Sequence, residues 1–371
     1  MELSNEDNLR LNVLMHQDLQ AIRIDESRMQ LYALTGKGEA KVELKPNCRD
    51  DKYLRLVREM LSTHALGSPG GYPVYLRRWT RMGEMREESL QGLLLLGESE
   101  AVVAVANSPQ LNEEVARRAW WAMPDADIAR RMLRQPKISQ SDIGKELAAF
   151  LVDYLPFETE ANNIVESVRL VLQPGLAEEA TIKSLWSRAG RKSAYYVGFL
   201  LATPNALPET AAESSLYKNV QNEFRDTEEN IFANLILQLL SSSGQVFLKT
   251  LQNAMDRLTD QYVAVLFLKA VQNYFKDIVP ESQTAYREFS EIESAVERLI
   301  SESTSPDLNQ VLALGEPYKD WIESLHALSL VGEALADPVF SQTDAVGSVM
   351  RKRLKPVTDP INKHINRFLS P

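Results

Sequence analysis

Residues 19–66 read LQAIRIDESRMQLYALTGKGEAKVELKPNCRDDKYLRLVREMLSTHAL, and the spacing of apolar residues changes along this stretch. Up to residue 45, short and partly alternating runs are separated by ESR and GKG, which is typical of a three-strand meander. From residue 51, apolar residues recur at three- and four-residue steps behind two aspartates, which predicts an amphipathic helix. Helical spacing continues to the end of the chain. We therefore expect a mainly α protein of helical hairpins with a small N-terminal β-meander.

The 371-residue chain is long enough for two or three domains. Residues 205–216 contain Pro, Ala and Ser without periodicity and are the predicted linker. Three regions follow from this: an N-terminal helix plus meander over 1–50, a helical region over 51–204, and an all-helical region over 217–371. One continuous solenoid is the alternative.

A weak repeat lies within the helical region. LLGESEAVVAVANSP (95–109) aligns without a gap on AMPDADIARRMLRQP (122–136), at an offset of 27 residues, and LWSRAGRKSAYYVGFLLATP (185–204) is a looser copy. Stacked HEAT-like helical pairs produce such a pattern, and so do ordinary helical hairpins with similar caps.

Composition narrows the class of protein. The formal net charge is −10, so the chain as a whole does not attract nucleic acid or anionic membranes. A single cysteine excludes an intramolecular disulfide and fits a reducing cytosol. The N-terminus lacks signal-peptide character, and the apolar runs are too short to span a bilayer. We expect a soluble, cytoplasmic protein without a membrane span.

Motifs for catalysis are not found in the sequence. The histidines have no H-x-x-x-H or H-E-x-x-H partner, and nucleophile-elbow, phosphate-loop and dinucleotide motifs are missing. We therefore expect no metal and no cofactor, and we favour a non-catalytic protein over an enzyme. Cys48 precedes a predicted helix start, a position that can activate a thiol, and is the redox candidate. An unreactive loop thiol is the alternative.

The most unusual stretch is GSPGGYPVYLRRWTRMG, residues 67–83. It lacks the lysine of a phosphate-binding loop, and its glycines and prolines suit a rigid turn. Pro69 and Gly70 fit the centre of a type II turn, Gly71 permits another positive φ, and Pro73 suits the first position of a helix. The predicted turn or hinge residues are Gly67, Pro69, Gly70, Gly71 and Pro73.

Arginines and tryptophans follow this turn and provide the candidate residues for binding a partner or an anion. Arginine grips carboxylates and phosphates, and aromatic rings stack on bases. The alternative is that the tryptophans belong to the core and the arginines pair with neighbouring acids, since residues 71–140 hold ten basic and nine acidic side chains. The candidates are Arg77, Arg78, Arg81, Arg117, Arg118, Arg130, Arg131 and Arg134.

The C-terminal segment over 351–371 carries six basic side chains and one acidic side chain. Its apolar residues line one face of a predicted terminal helix, which we expect to dock on the body of the protein. Contact with a membrane or an anionic partner is the alternative.

Several long strings in the first half of the chain resemble the sulfur reduction protein DsrS family. They are EDNLRLNVL, AIRIDESRM, GSPGGYPVYLRRWTRMG, VARRAWWAMP, YLPFE, ESVRLVLQPGL and KSAYYVGFL, and they run in order from about residue 2 to about residue 202. Genes of that family lie together with the genes for the reverse-acting dissimilatory sulfite reductase of sulfur-oxidising bacteria. The resemblance implies an accessory protein of sulfur oxidation, and it carries no catalytic residues across.

The function expected from the sequence is therefore that of a non-catalytic adaptor or expression regulator of dissimilatory sulfur oxidation. Its expected partner is a protein of that system, with RNA as the alternative. Two further hypotheses about the function stay open. One is a small-molecule binder or enzyme with a site near 67–83, and the other is sulfur handling through Cys48. The oligomeric state is left open.

Overall fold

The computed structural model describes residues 3–73, 87–225, 229–279, 285–303, 305–341 and 346–369. The chain is mainly α with a three-stranded antiparallel sheet near its N-terminus, as predicted. It divides into two compact units, Met1–Tyr154 and Leu155–Pro371.

The first unit contains the sheet and a series of helices. The strands are β1 (Leu19–Asp25), β2 (Gln30–Thr35) and β3 (Gly38–Glu43). The described helices are α1 (Asn5–Met15), α2 (Asp50–Leu66), α3 (Glu87–Leu93), α4 (Ser99–Ala106), α5 (Glu113–Ala122), α6 (Ala126–Leu133), α7 (Pro136–Ser139) and α8 (Asp142–Tyr154).

The sheet is a meander in the order β1-β2-β3. Thr35 pairs with Gly38 across a two-residue hairpin, which fixes the register of β2 against β3. Side chains of one face, including those of Ile22 and Leu31, enter a core shared with α1 and α2. We call this core, whose members all lie between residues 3 and 61, the N-terminal core.

Helix α2 forms where the apolar spacing predicts it. Two aspartates occupy its first turn, where negative charge complements the helix dipole. Its buried face includes Tyr53, Leu54, Val57 and Leu61, and these side chains pack into the N-terminal core. The helix ends at Gly67, which has a left-handed φ of 66°.

The predicted repeat corresponds to two helices of equal length. Helices α4 and α6 have eight residues each and begin 27 residues apart, as the sequence offset requires. They lie in contact with each other and with α5. A HEAT-like superhelix built from such pairs stays a prediction.

The second unit is entirely helical over its described residues. Its α-helices are α9 (Ala161–Val171), α10 (Glu179–Ala189), α11 (Ser193–Ala202), α12 (Tyr217–Glu223), α13 (Ile231–Leu240), α14 (Ser242–Met255), α15 (Gln261–Tyr274), α16 (Phe289–Ser301), α17 (Pro306–Leu312), α18 (Tyr318–Ser329), α19 (Asp337–Phe340) and α20 (Gly347–Asn366). Its 3-10 turns are Leu155–Phe157, Lys276–Ile278 and Glu333–Ala336.

Helix α11 is largely buried in this unit and packs on α9, α14 and α15. The predicted linker over 205–216 lies inside the second unit, Leu155–Pro371. Its backbone is tied to the helices that follow: Ser214 N–H donates to the carbonyl of Leu240 at 2.8 Å, and Ser242 Oγ donates to the carbonyl of Ala211 at 2.5 Å.

Within the described ranges, no single helix is both long and apolar enough to cross a membrane. Helices α13 and α14 together are long and apolar enough, but a bend of 75° separates them.

Candidate functional site

The turn that follows α2 is held by a buried serine. Ser62 Oγ accepts a hydrogen bond from the N–H of Gly71 at 2.8 Å and donates one to the carbonyl of Ser68 at 2.5 Å. Ser62 is fully buried, so both bonds are shielded from water. Nothing in the local sequence marks this serine, because its partners become neighbours only once the turn has formed.

A carboxylate completes the turn from a distant part of the chain. Glu98 Oε2 accepts a hydrogen bond from the N–H of Tyr72 at 3.1 Å, and a Cβ added at Gly71 would collide with Glu98 Oε1. Backbone N–H groups of this kind are the ones that bind a phosphate in a phosphate loop. Here Ser62 and Glu98 already occupy two of them, so the turn is not built as an anion cradle.

Two details of the predicted turn are wrong. Gly71 has the predicted positive φ, at 61°, but Gly70 does not have one, so Pro69 and Gly70 do not form the centre of a type II turn. The helix assigned from residue 71 begins with Gly71 in its left-handed conformation, so Pro73 lies within the first turn and not at the first position. Ser62 and Glu98 hold the N–H groups of residues 71 and 72 in this arrangement.

A polar cavity of about 570 Å³ opens beside the turn. Its charged lining is already paired in part: Arg58 contacts Glu26 at 2.5 Å, and Arg55 contacts Glu59 at 3.5 Å. The Nε of Arg58 is buried and has no hydrogen-bond partner among the described residues. With Glu98 and Glu100 also present, carboxylates outnumber the arginines, so the cavity does not favour an anion.

A larger and more apolar cavity also borders Tyr72. It measures about 740 Å³, follows the exposed side of α4, and is called the α4 groove below. Its apolar lining comes from Tyr72, Val103, Ala104, Pro109 and Met123, and its polar lining from Ser99, Glu100, Asn107, Ser108 and Gln110.

Helix α6 braces one edge of the α4 groove. Arg131 donates from Nε to Asp127 at 2.7 Å and from Nη1 to Asn107 Oδ1 at 3.1 Å. The amide of Asn107 in turn donates to the carbonyl of Val103 at 2.8 Å. The polar edge of the groove is thus fixed in place before any partner arrives.

Several predicted binding arginines pair with acids on their own helices. Arg117 contacts Glu113 at 2.6 Å, and Arg118 contacts Glu114, each four residues earlier. Arg130 is buried, and both Arg130 and Arg134 have interaction partners. Arg77, Arg78 and Arg81 lie outside the described residues. Within the described helices, these arginines therefore do not converge on an open groove.

The tryptophans in this region are also engaged. Trp120 is 8% exposed and donates from Nε1 to Glu146 at 2.8 Å. The guanidinium of Arg23 stacks between the rings of Trp121 and Tyr32, at 4.7 and 4.8 Å from their centroids. The sequence did not indicate Arg23, because it lies on β1, far from the arginine-rich helices. Its cation–π contacts attach α5 to the sheet.

Cys48 is half-buried and packs against the N-terminal core. Across the described residues, no three His, Cys, Asp or Glu side chains are grouped so that they could hold a metal ion.

The chain matches no known family model, no curated protein and no solved structure. Its fold and site define a mainly α protein of two compact units, with a large apolar groove beside a rigid turn.

Proposed function

We propose that the chain is a non-catalytic accessory protein of dissimilatory sulfur oxidation, acting as an adaptor or regulator that binds a partner protein. The α4 groove is the observation that carries this proposal. Val103, Ala104 and Met123 form an apolar surface in the groove that an apolar side chain of a partner can contact. Polar groups that are already held in place surround this surface. An apolar centre with a polar rim is the usual anatomy of a protein–protein contact.

Two further observations support the proposal. The resemblance in residues 2–202 implies a role in the sulfur-oxidation system. Arg117, Arg118 and Arg131 already form ion pairs with acidic side chains. Binding of RNA phosphates would require these guanidinium groups, so their pairing favours a protein partner over RNA.

The test replaces Ala104, a partly exposed residue of the groove lining, by glutamate. The matched control is Val13→Glu, because Val13 lies on α1 and is 58% exposed. Tagged full-length proteins are used to recover partners from cells grown on reduced sulfur, with and without nuclease. We expect the wild type and Val13→Glu to retain the same protein of the sulfur-oxidation system, and Ala104→Glu to lose it.

Circular dichroism checks that Ala104→Glu is folded. Release of the partner by nuclease would show that RNA makes the bridge. Retention of the partner by Ala104→Glu would show that the groove is not the binding site.

A second candidate function is binding of a small molecule in the same groove. Its volume of about 740 Å³ lies within the range of about 300–1,000 Å³ typical of ligand pockets. A low-molecular-mass extract of sulfur-grown cells would then raise the melting temperature of the wild type but not of Ala104→Glu. An unchanged melting temperature with the full extract argues against this candidate.

A further inference from the structure

A second surface, in the second unit, has the opposite electrostatic character to the chain as a whole. It is built on the first half of α20, where four of five consecutive residues are basic (Arg351, Lys352, Arg353 and Lys355) in a protein of net charge −10. Helix α20 packs its apolar side on α14, α16 and α18, as predicted for the C-terminal segment. The basic side chains are left on its remaining surface.

A cavity of about 510 Å³ lies beside these cations. Arg287, Lys352 and Arg353 line it together with the apolar side chains of Phe289, Leu335 and Val357. The cavity thus combines an apolar interior with cationic side chains, and we call it the α20 pocket.

The apolar surface continues beyond the pocket. Val346 is 69% exposed and Val349 is 52% exposed. Val349, Arg353 and Pro356 are spaced four and three residues apart, which places them on one side of the helix, and Val346 is the N-cap residue that precedes it. Exposed valines next to a basic pocket extend the surface available to a bound segment.

The cations of the α20 pocket are poorly neutralised within the part of the chain that the structure describes. Lys352 and Arg353 form no ion pair there, and Arg287 reaches Asp337 only at 3.9 Å with both side chains exposed. Among the described residues of the lining, Glu288 is the one carboxylate, and it belongs to the capping box of α16. The described lining therefore carries a net positive charge.

We propose that the α20 pocket docks an acidic peptide segment of a partner protein, with one apolar side chain of that segment in the cavity and its carboxylates on Lys352 and Arg353. Charge complementarity selects an acidic occupant. The apolar interior selects a peptide over RNA, because the described residues of the lining present no exposed aromatic ring to stack on bases. The α20 pocket shares no lining residue with the α4 groove, so the two proposals are tested independently.

The test uses fluorescence anisotropy with the full-length protein and a labelled peptide that has a single leucine between flanking glutamates. Two control peptides replace the leucine by alanine or the glutamates by lysines. The variant is Lys352→Glu/Arg353→Glu. The matched control is Arg191→Glu/Lys192→Glu, an exposed neighbouring pair of basic residues that carries the same change of charge elsewhere in this unit.

We expect saturable binding of the acidic leucine peptide, weakened about tenfold or more by Lys352→Glu/Arg353→Glu and by raised salt, since rim charges act through screened electrostatics. The alanine peptide should bind more weakly, the lysine peptide should not bind, and the control variant should bind like the wild type. Equal binding by both variants, or equal binding of the leucine and alanine peptides, would overturn the proposal. Preference for an oligouridine or for anionic vesicles over the acidic peptide would also overturn it.

Discussion

A buried pair of polar side chains joins α1 to α2, and the substitution Tyr53→Phe tests its contribution to stability. Tyr53 OH donates to Asp7 Oδ2 at 2.7 Å, and both residues are fully buried. Burial and then the hydrogen bond to Asp7 raise the pKa of Tyr53, so its hydroxyl stays protonated and can donate at neutral pH.

The expected cost follows from what phenylalanine leaves behind. Asp7 Oδ1 has no hydrogen-bond partner among the described residues, so Tyr53→Phe removes the one side-chain hydrogen bond that the structure shows for this carboxylate. A hydrogen bond to a charged group contributes about 1.5–3 kcal/mol, and an unpaired buried charge costs more. We expect Tyr53→Phe to lower the free energy of unfolding by about 2–3 kcal/mol, since the ring itself is kept.

Urea denaturation followed by circular dichroism measures this change. Tyr262→Phe is the matched control, because Tyr262 is 66% exposed, and it should change stability by less than about 0.5 kcal/mol. The double variant Asp7→Leu/Tyr53→Phe should be more stable than Tyr53→Phe alone, because it leaves no buried charge. A Tyr53→Phe variant as stable as the control would refute the reasoning.

Three other outcomes are expected. Gly71→Ala should destabilise the protein more than Gly175→Ala in thermal melts: both have positive φ, but only Gly71 lies against Glu98. Burial lowers the pKa of His326 from 6.5 to about 4, so the unfolded chain takes up a proton first as pH falls. The free energy of unfolding should therefore fall as the pH is lowered from about 6.5 to about 4, and it should fall less in His326→Leu than in the wild type. Equal pH profiles of the two proteins would contradict this expectation. Cys48→Ser should leave the consumption of stored sulfur unchanged, and slowed consumption would instead support sulfur handling through this thiol.

The meander and α2 could be predicted because their signals are local. Alternating residues bounded by ESR and GKG specify hairpins, and apolar residues at helical spacing specify α2 between its aspartates and Gly67. The 27-residue offset between α4 and α6 could be predicted for the same reason, since acidic residues near the start and a closing proline mark each helix.

The site was harder to predict because its geometry depends on distant residues. Glu98 reaches back 26 positions to Tyr72, and Ser62 bonds to Gly71 across the end of a helix. The sequence placed the candidate contacts on the arginines, while the large cavity lies along α4, whose short apolar sequence gives no sign of an open side. Composition also suggested a linker over 205–216, although that segment is held by hydrogen bonds inside the second unit.

The N-terminal core has a consequence for how the chain is made. Every member of this core lies between residues 3 and 61, so a nascent chain contains all of it once α2 has left the ribosome. Contacts between residues that are close in sequence cost little loop-closure entropy and can form early. The growing chain can therefore bury this core before most of its helices exist. The outer edge of β1 must wait longer, because Ile22 N–H donates to the carbonyl of Leu94, at 2.8 Å, only after residues 67–94 have been added.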